Sequence, residues 1–204
     1  MRVVVVRHGM TAWNAERRFQ GHTDVELSPV GLEQARSVGR RLRGDRFAAC
    51  VASDLRRTCA TAEAILAEME APPELRLDPE LREMNFGAWE GLTFEEISRR
   101  WPDEAERFRR REPVAPPRGE TWSAFETRVW GGFERHRAAA AAGGDLLLVV
   151  HGGVIHALLG RVLRLGGGPV PLHLDPAAVT ELECEGDALR VSILNDRRHL
   201  DGFP

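Results

Sequence analysis

The sequence predicts an α/β fold, a three-layer sandwich in which helices cover both faces of a mostly parallel central sheet. Two observations favour this fold class. Aliphatic runs such as "VVVV" at 3–6 and "LLLVV" at 146–150 are typical of strands buried on both faces. Segments with apolar residues at helical spacing separate these runs, and such alternation of strands and helices indicates a layered α/β architecture.

The first predicted strand is "RVVVVR", and the first long helix after it is "LSPVGLEQARSVGRRLRG". Ser28 is expected to cap this helix and Pro29 to be its first residue, because Ser accepts from free backbone N–H groups and Pro needs no N–H there. Gly44 ends the helix. The apolar positions that recur at helical spacing are Leu32, Ala35, Val38 and Leu42.

The second strand is "FAACVAS" and its helix is "SDLRRTCATAEAILAEM", with Ser53 or Asp54 expected as the N-cap. The charge-dense stretch "SRRWPDEAERFRRREPVAPPRG" then predicts a small, mainly helical insertion near the candidate site, roughly residues 86–137. The chain continues with the helix "ETWSAFETRVWGGFERHRAAAAAGG", the strand "DLLLVVHGG", the helix "VIHALLGRVLRLGGG" and a hairpin-like pair, "AVTELECEG" and "ALRVSILND".

Length and composition limit the classes of function. The 204 residues are most simply one domain, 1–204. A formal net charge of -3 gives no overall field that would recruit nucleic acid or an anionic membrane, so neither is expected as a partner. The aliphatic runs are far shorter than the ~20 residues of a membrane span. The four valines near the N-terminus are too few for a signal peptide, and we expect a cytoplasmic protein.

Three strand ends carry residues that are unusual for surface loops. "VVVV" is followed by Arg7 and His8, "CVA" leads into "SDL" and Arg56, and "LLLVV" is followed by His151. Ligands of open α/β sheets bind beyond the carboxyl ends of the strands, so these four side chains are expected to converge.

A metal site explains these residues poorly. The sequence has no H-x-x-E-H or H-E-x-x-H pair, and His151 and His156 are five residues apart, which places them on different faces of a helix. Three cysteines without a C-x-x-C pair indicate neither zinc nor disulfides. We therefore predict no metal ligands.

A phosphate group fits the same side chains. Guanidinium groups make charge-assisted, forked hydrogen bonds to phosphoryl oxygens, and all 28 of the Lys and Arg residues are arginines. Arg56 lies in the first turn of its predicted helix, where the helix dipole favours an anion. A histidine among these groups can attack phosphorus as a nucleophile.

Five separated motifs resemble those of the histidine phosphatase superfamily, which contains cofactor-dependent phosphoglycerate mutase. They occur in the family's order and cover nearly the whole chain: "RHGMTAWN", "FQGHTDVELSPVGLEQA", "SDLRRTCATA", "LREMNFGAWEG" and "VVHGG". The resemblance implies that His8 is the nucleophile that becomes a phosphohistidine. It also implies that Arg7, Arg56 and His151 hold the phosphoryl oxygens and that Glu83 protonates the leaving oxygen.

Further contacts follow from the resemblance. Asn14 and the Gln20–Gly21 pair match positions that contact phosphate or substrate, and Gly152 in "HGG" is included with them. Met10 departs from the family, in which many relatives carry Glu or Gln after "RHG". Thr11 beside it keeps a hydroxyl that can donate.

The function expected from these residues is metal-independent hydrolysis of small phosphomonoesters, without a cofactor. The short chain and the loop "REMNFGAWEG" favour a phosphatase over a phosphoglycerate mutase, which stays open as an alternative together with a non-catalytic phosphate-binding scaffold. The substrate itself is left open. The C-terminal strands could supply an edge for a homodimer.

Overall fold

The computed structural model describes residues 1–112, 114–165 and 168–203. Its strands are β1 (Arg2–Arg7), β2 (Phe47–Ala52), β3 (Leu75–Leu77), β4 (Asp145–Val150), β5 (Val179–Glu185) and β6 (Ala188–Asp196). Its α-helices are α1 (Ala12–Ala15), α2 (Pro29–Arg41), α3 (Arg56–Leu66), α4 (Phe94–Arg100), α5 (Pro102–Arg109), α6 (Trp122–Ala140) and α7 (Gly152–Val162). Short 3₁₀ helices span Pro79–Leu81, Gly87–Trp89 and Arg198–Leu200.

The six strands form one mostly parallel sheet in the order β3-β2-β4-β1-β5-β6. Strands β1, β2, β3 and β4 run parallel to their neighbours within this group, and β5 is antiparallel to both β1 and β6. The predicted fold class is confirmed, and the hairpin-like C-terminal pair is present. The pattern did not predict β3, which has only three residues and no buried side chain.

The sheet is buried on both faces, as the aliphatic runs predict. Alternate side chains of a strand point to opposite faces. Val3 and Val5 of β1 pack in a cluster with residues of α6 and α7, whereas Val4 and Val6 pack in a second cluster with residues of α2 and α3. Each face of the sheet is therefore covered by one layer of helices.

The middle of the chain divides between two cores. Helices α4 and α5 lie in the predicted insertion and pack around a separate small cluster that includes Trp89, Ile97 and Ala105. Helix α6 begins within the same predicted range, but its Phe125 and Val129 belong to the main core. The small cluster is thus the core of the 3₁₀ turn at Gly87–Trp89 and of helices α4 and α5. Helix α6, in contrast, is part of the sandwich.

Among the residues that the structure describes, no helix is long and apolar enough to span a membrane.

Candidate active site

Two buried histidines lie side by side where two parallel strands end. His8 follows β1 and His151 follows β4, and these strands are hydrogen-bonded neighbours with Arg7 opposite Val150. The two ring centroids are 5.3 Å apart, with an interplanar angle of 62°. The sheet therefore brings together two of the side chains that the strand ends predict.

His8 has one ring nitrogen occupied and the other available. Its Nδ1 lies 2.7 Å from the carbonyl oxygen of Gly9, which can only accept, so Nδ1 carries the proton. Burial, together with the charges of Arg57 and Arg7, holds the pKa of His8 well below its usual value of 6.5. At neutral pH the ring is uncharged and keeps a lone pair on Nε2, the form that a nucleophile needs.

His151 is held in a defined tautomer by two partners. Its Nδ1 accepts a hydrogen bond from Nε of Arg57 at 3.2 Å, so Nε2 carries the proton and donates to Oγ of Ser53 at 2.9 Å. Burial and the charge of Arg57 hold the pKa of His151 well below its usual value.

The arginine beside these histidines is Arg57, and the selection of Arg56 from the sequence needs correction. Helix α3 begins at Arg56, with Leu55 as an N-cap that makes no side-chain bond, so neither Ser53 nor Asp54 caps it. The side chain of Arg56 is 63% exposed and pairs with Glu26 at 2.6 Å. Arg57 is turned by about 100° around the helix and is fully buried.

Arg57 is fixed by three hydrogen bonds and remains charged. Besides His151, it donates through Nη1 to the carbonyl of Thr23 at 2.9 Å and through Nη2 to that of Gly21 at 2.7 Å. Burial lowers the pKa of Arg57 to about 10, which still leaves it protonated at neutral pH. Three of its five N–H groups are occupied, so two remain for an anion.

Arg7 provides a second guanidinium group, which lines the same cavity as Arg57 and His8. Its Nη1 donates to the carbonyl of Leu174, and burial lowers the pKa of Arg7 without removing its charge at neutral pH. We name this cavity of about 210 Å³ the strand-end pocket; its lining includes Arg7, His8, Asn14, Gln20, Arg57 and Glu83.

Glu83 lines the strand-end pocket together with His8, from a loop that follows β3. Its Oε1 accepts from the N–H of Met84 at 2.8 Å, and its Oε2 accepts from the N–H of Gly153 at 3.0 Å, in the first turn of α7. A Cβ atom on Gly153 would overlap Oε1 of Glu83. Glycine at this position therefore lets the carboxyl group approach the start of α7.

Arg128 of α6 holds the backbone that carries Glu83. Its Nη1 donates to the carbonyls of Glu80 at 2.7 Å and Arg82 at 3.1 Å, and its Nη2 donates to that of Glu83 at 3.3 Å. An ion pair with Glu120 at 2.7 Å fixes the guanidinium group in turn. The loop bearing the carboxyl group is thereby anchored to a core helix.

Glu90, which the sequence analysis did not select, holds the loop that binds Arg57. Its Oε1 accepts from the N–H groups of His22 at 2.9 Å and Phe86 at 3.1 Å. Its Oε2 accepts from the N–H of Thr23 at 2.9 Å and from Oγ1 of Thr23 at 2.6 Å. Gly21 has a φ of 53°, and a Cβ atom there would overlap this carboxylate. Glu90 thus fixes the loop whose two carbonyls bind the buried guanidinium group.

Of the four remaining predicted contacts, two line the strand-end pocket and two do not. Asn14 and Gln20 line the strand-end pocket. Thr11 is fully buried, and its hydroxyl caps α1 by bonding to Asn14, so it does not line the pocket. Gly152 starts α7, where a Cβ atom would lie 3.6 Å from Nε of Arg7, an ordinary contact.

Within the described part of the chain, no group of three or more His, Cys, Asp or Glu side chains is arranged to hold a metal ion.

A comparison with known families matches residues 3–197 to the histidine phosphatase superfamily (branch 1). The chain belongs to the histidine phosphatase superfamily. The resemblance drawn from the five motifs is confirmed, and the match extends over both the sandwich and the two short helices packed outside it.

Relatives of this histidine phosphatase include proteins with phosphatase and mutase-like names. It is 34% identical to phosphoglycerate mutase-like protein 4 of Arabidopsis thaliana, covering 98% of this chain and 86% of that one. It is 32% identical to the uncharacterized phosphatase PhoE of Bacillus subtilis, covering 98% and 97%. Among solved structures, a mycobacterial glucosyl-3-phosphoglycerate phosphatase complexed with VO3 matches with a TM-score of 0.86 and 31% identity, covering 96% and 99%.

A sequence signal exists for Arg57 but not for Glu90. "SDLRR" offers two adjacent arginines, and only the residue at which the helix starts decides which one faces the sheet. Glu90 lies in the quoted "GAWEG" stretch, but nothing in that string shows that its carboxylate meets a loop 68 residues earlier.

Proposed function

We propose that this histidine phosphatase is a metal-independent phosphomonoester hydrolase that acts on small phosphorylated metabolites through a phosphohistidine on His8. The observation that carries the proposal is the neutral, buried imidazole of His8 beside the guanidinium groups of Arg7 and Arg57. An uncharged imidazole can attack phosphorus, and two fixed cations attract the phosphoryl group to it. Glu83 supplies the acid and the base, and His151 positions Arg57 through the hydrogen bond from its Nε.

In the first half-reaction, Nε2 of His8 forms a bond to phosphorus while the ester P–O bond breaks. The guanidinium groups stabilise the negative charge on the equatorial oxygens, and removal of one such donor typically costs ~3 kcal/mol. Glu83 transfers a proton to the departing alcohol oxygen. The free alcohol leaves, and the phosphoryl group stays on His8 with Glu83 as a carboxylate.

In the second half-reaction, water attacks the phosphorus of the phosphohistidine. The Glu83 carboxylate accepts a proton from this water, and the P–N bond breaks. Inorganic phosphate leaves, which restores the neutral imidazole of His8 and the protonated Glu83. The same carboxyl group therefore serves as acid in one step and as base in the next.

The charge that the reaction needs is supplied by side chains. Phosphoryl-transfer sites commonly use a metal ion to neutralise the phosphoryl oxygens, and the guanidinium groups of Arg7 and Arg57 can do the same. The proposed reaction therefore requires neither a metal nor an organic cofactor, and chelation should leave its rate unchanged.

Phosphorus NMR of the chelator-treated protein tests this function. The protein is incubated with a panel of simple phosphomonoesters and, separately, with 3-phosphoglycerate and a trace of 2,3-bisphosphoglycerate. We expect inorganic phosphate to accumulate without 2-phosphoglycerate. Formation of 2-phosphoglycerate without net release of phosphate would instead identify a mutase.

Trapping of the intermediate separates an enzyme from a phosphate-binding scaffold. Phosphorylated protein is quenched in alkali, where phosphohistidine survives, and the modified peptide is located by mass spectrometry. We expect the label on His8. Tight binding of phosphate esters with neither turnover nor label would contradict the proposal.

A further inference from the structure

Two further cavities continue from the strand-end pocket, between its loops and helices α5 and α6. The inner cavity, of about 510 Å³, shares Glu83 and Phe86 with the strand-end pocket. The outer cavity, of about 430 Å³, shares Phe108, Arg111 and Trp122 with the inner one. An alcohol whose oxygen takes a proton from Glu83 therefore has the inner cavity directly beside it.

The inner cavity is lined mainly by apolar side chains. They come from the loop after Glu83, from α5, from α6 and from the segment before β5: Met84, Phe86, Phe108, Trp122, Val170 and Leu172. Aromatic side chains in the lining of a cavity offer flat, apolar surfaces on which a ring can stack.

In the described part of the chain, three basic residues line the inner cavity itself: Arg111, His156 and His173. Burial, together with the charges of Arg7 and Arg111, lowers the pKa of His156 to about 4, so this ring is neutral at pH 7. Arg111 is exposed and is the one guanidinium group among the described residues that line the inner cavity. Arg17 and Arg18 belong to the lining of the strand-end pocket instead.

We infer that the inner cavity holds the leaving group of phosphomonoesters whose alcohol carries an apolar ring, such as an arylalkyl group. This inference rests on the proposed hydrolase function. A ring in contact with the apolar lining, which includes Phe108 and Trp122, removes apolar surface from water, which favours binding. The carboxylate of a small acidic ester would lie there among mainly apolar side chains, and the burial of a charge without a hydrogen-bonding partner is unfavourable.

The test measures hydrolysis of three esters by the intact protein: 2-phenylethyl phosphate, ethyl phosphate and 3-phosphoglycerate. The first two release primary alcohols, so the difficulty of P–O cleavage differs little between them. We expect kcat/KM to be roughly tenfold or more higher for the phenylethyl ester than for either of the others. The difference should appear mainly in KM, because the ring contributes to binding in ground state and transition state alike.

Two tryptophans of the same helix provide a variant and its matched control. Trp122 lines both cavities, whereas Trp130 lines neither and packs on Phe133 and Arg161. Trp122→Ala should reduce the preference for the phenylethyl ester over ethyl phosphate about tenfold. Trp130→Ala removes a similar side chain and should keep the wild-type preference.

The outcomes separate this inference from the function on which it rests. Hydrolysis of ethyl phosphate or 3-phosphoglycerate at a rate equal to or above that of the phenylethyl ester overturns the inference and leaves the hydrolase function intact. An equal loss of preference in both tryptophan variants also overturns it. Absence of turnover for all three esters, with no label on His8, overturns the hydrolase function and the inference together.

Discussion

The strand-end pocket and the inner cavity touch at Glu83, yet they are built in different ways. In the pocket, charged groups are tied to specific partners: Arg57 makes three hydrogen bonds, and Glu83 accepts two from backbone N–H groups. The inner cavity is walled mainly by apolar side chains from loops and helices. Geometry therefore matters most in the pocket, whereas volume and apolar surface matter most in the cavity.

This difference between the pocket and the cavity indicates where amino-acid substitutions are tolerated. Hydrogen-bonded charges that are buried cannot be replaced without leaving a partner unpaired, which costs free energy. Apolar walls accept substitutions that keep their volume. We therefore expect variants of the pocket to lower turnover of every ester, and variants of the cavity to change the choice among esters.

The largest expected effect follows from removal of the nucleophile. His8→Ala deletes the group that bonds to phosphorus, so kcat should fall by roughly 10⁴-fold or more for all esters. Steady-state release of inorganic phosphate measures the loss, and circular dichroism checks the fold. Substantial residual turnover would show that another group attacks phosphorus.

The next largest effect distinguishes two adjacent arginines. Arg57→Ala removes a buried cation and the partner of His151, so kcat/KM should fall by roughly 10²- to 10³-fold. Arg56→Ala is the matched control: its exposed ion pair with Glu26 contributes little, and activity should stay within about twofold of wild type. Equal losses in both variants would contradict the placement of Arg57 at the site.

A pair of glycines tests the approach of Glu83 to helix α7. In Gly153→Ala the added methyl group overlaps the Glu83 carboxyl group, and its displacement should lower kcat by roughly 10²-fold. In Gly152→Ala the new Cβ atom makes only an ordinary contact with Arg7, and the decrease should be much smaller. Similar kcat values for the two variants would mean that the position of Glu83 is unimportant.

A smaller effect is expected on stability as a function of pH. His8 and His151 resist protonation in the folded chain because burial and nearby arginines lower their pKa values, whereas unfolded histidines titrate near 6.5. The unfolded state therefore binds more protons as the pH falls below 6.5. Each histidine should lower the free energy of unfolding by about 1 kcal/mol between pH 6.5 and 5.5.

Urea unfolding at pH 7.5, 6.5 and 5.5 measures this loss. With respect to these two groups, the free energy of unfolding should decrease by about 0.35 kcal/mol per histidine between pH 7.5 and 6.5 and by about 1 kcal/mol per histidine between pH 6.5 and 5.5. Saturating inorganic phosphate should reduce the decrease, because a bound anion raises the pKa of both imidazoles. A free energy of unfolding that does not change below pH 6.5 would contradict the buried, neutral state.

The smallest expected effect comes from the loop that holds Arg57. Glu90→Gln replaces a carboxylate that accepts four hydrogen bonds by a group that accepts fewer, so kcat/KM should fall roughly tenfold. Inhibition by inorganic phosphate should weaken in proportion, because the guanidinium group is less well positioned. Glu95→Gln on the exposed face of α4 is a control, and its activity should match wild type.

Much of the fold could be predicted from the sequence because it depends on periodicity. Four consecutive valines with no polar member are typical of a strand covered on both faces, and Ser28 followed by Pro29 marks a helix start by local chemistry alone. Strand β3 was not predicted, because its three residues have partly exposed side chains and are too few to show an alternating hydrophobic pattern.

The sequence by itself determined the fold class and the family. It also indicated that His8 and His151 meet, because each histidine follows a buried strand and parallel strands end at one edge of a sheet. Only the tertiary structure decided that Arg57 rather than Arg56 faces that edge. One residue of difference in a helix start turns a side chain by about 100°, and no local pattern fixes that rotation. The role of Glu90 and the apolar cavity beside Glu83 likewise arise from segments far apart in the chain, so they exist only once the chain has folded.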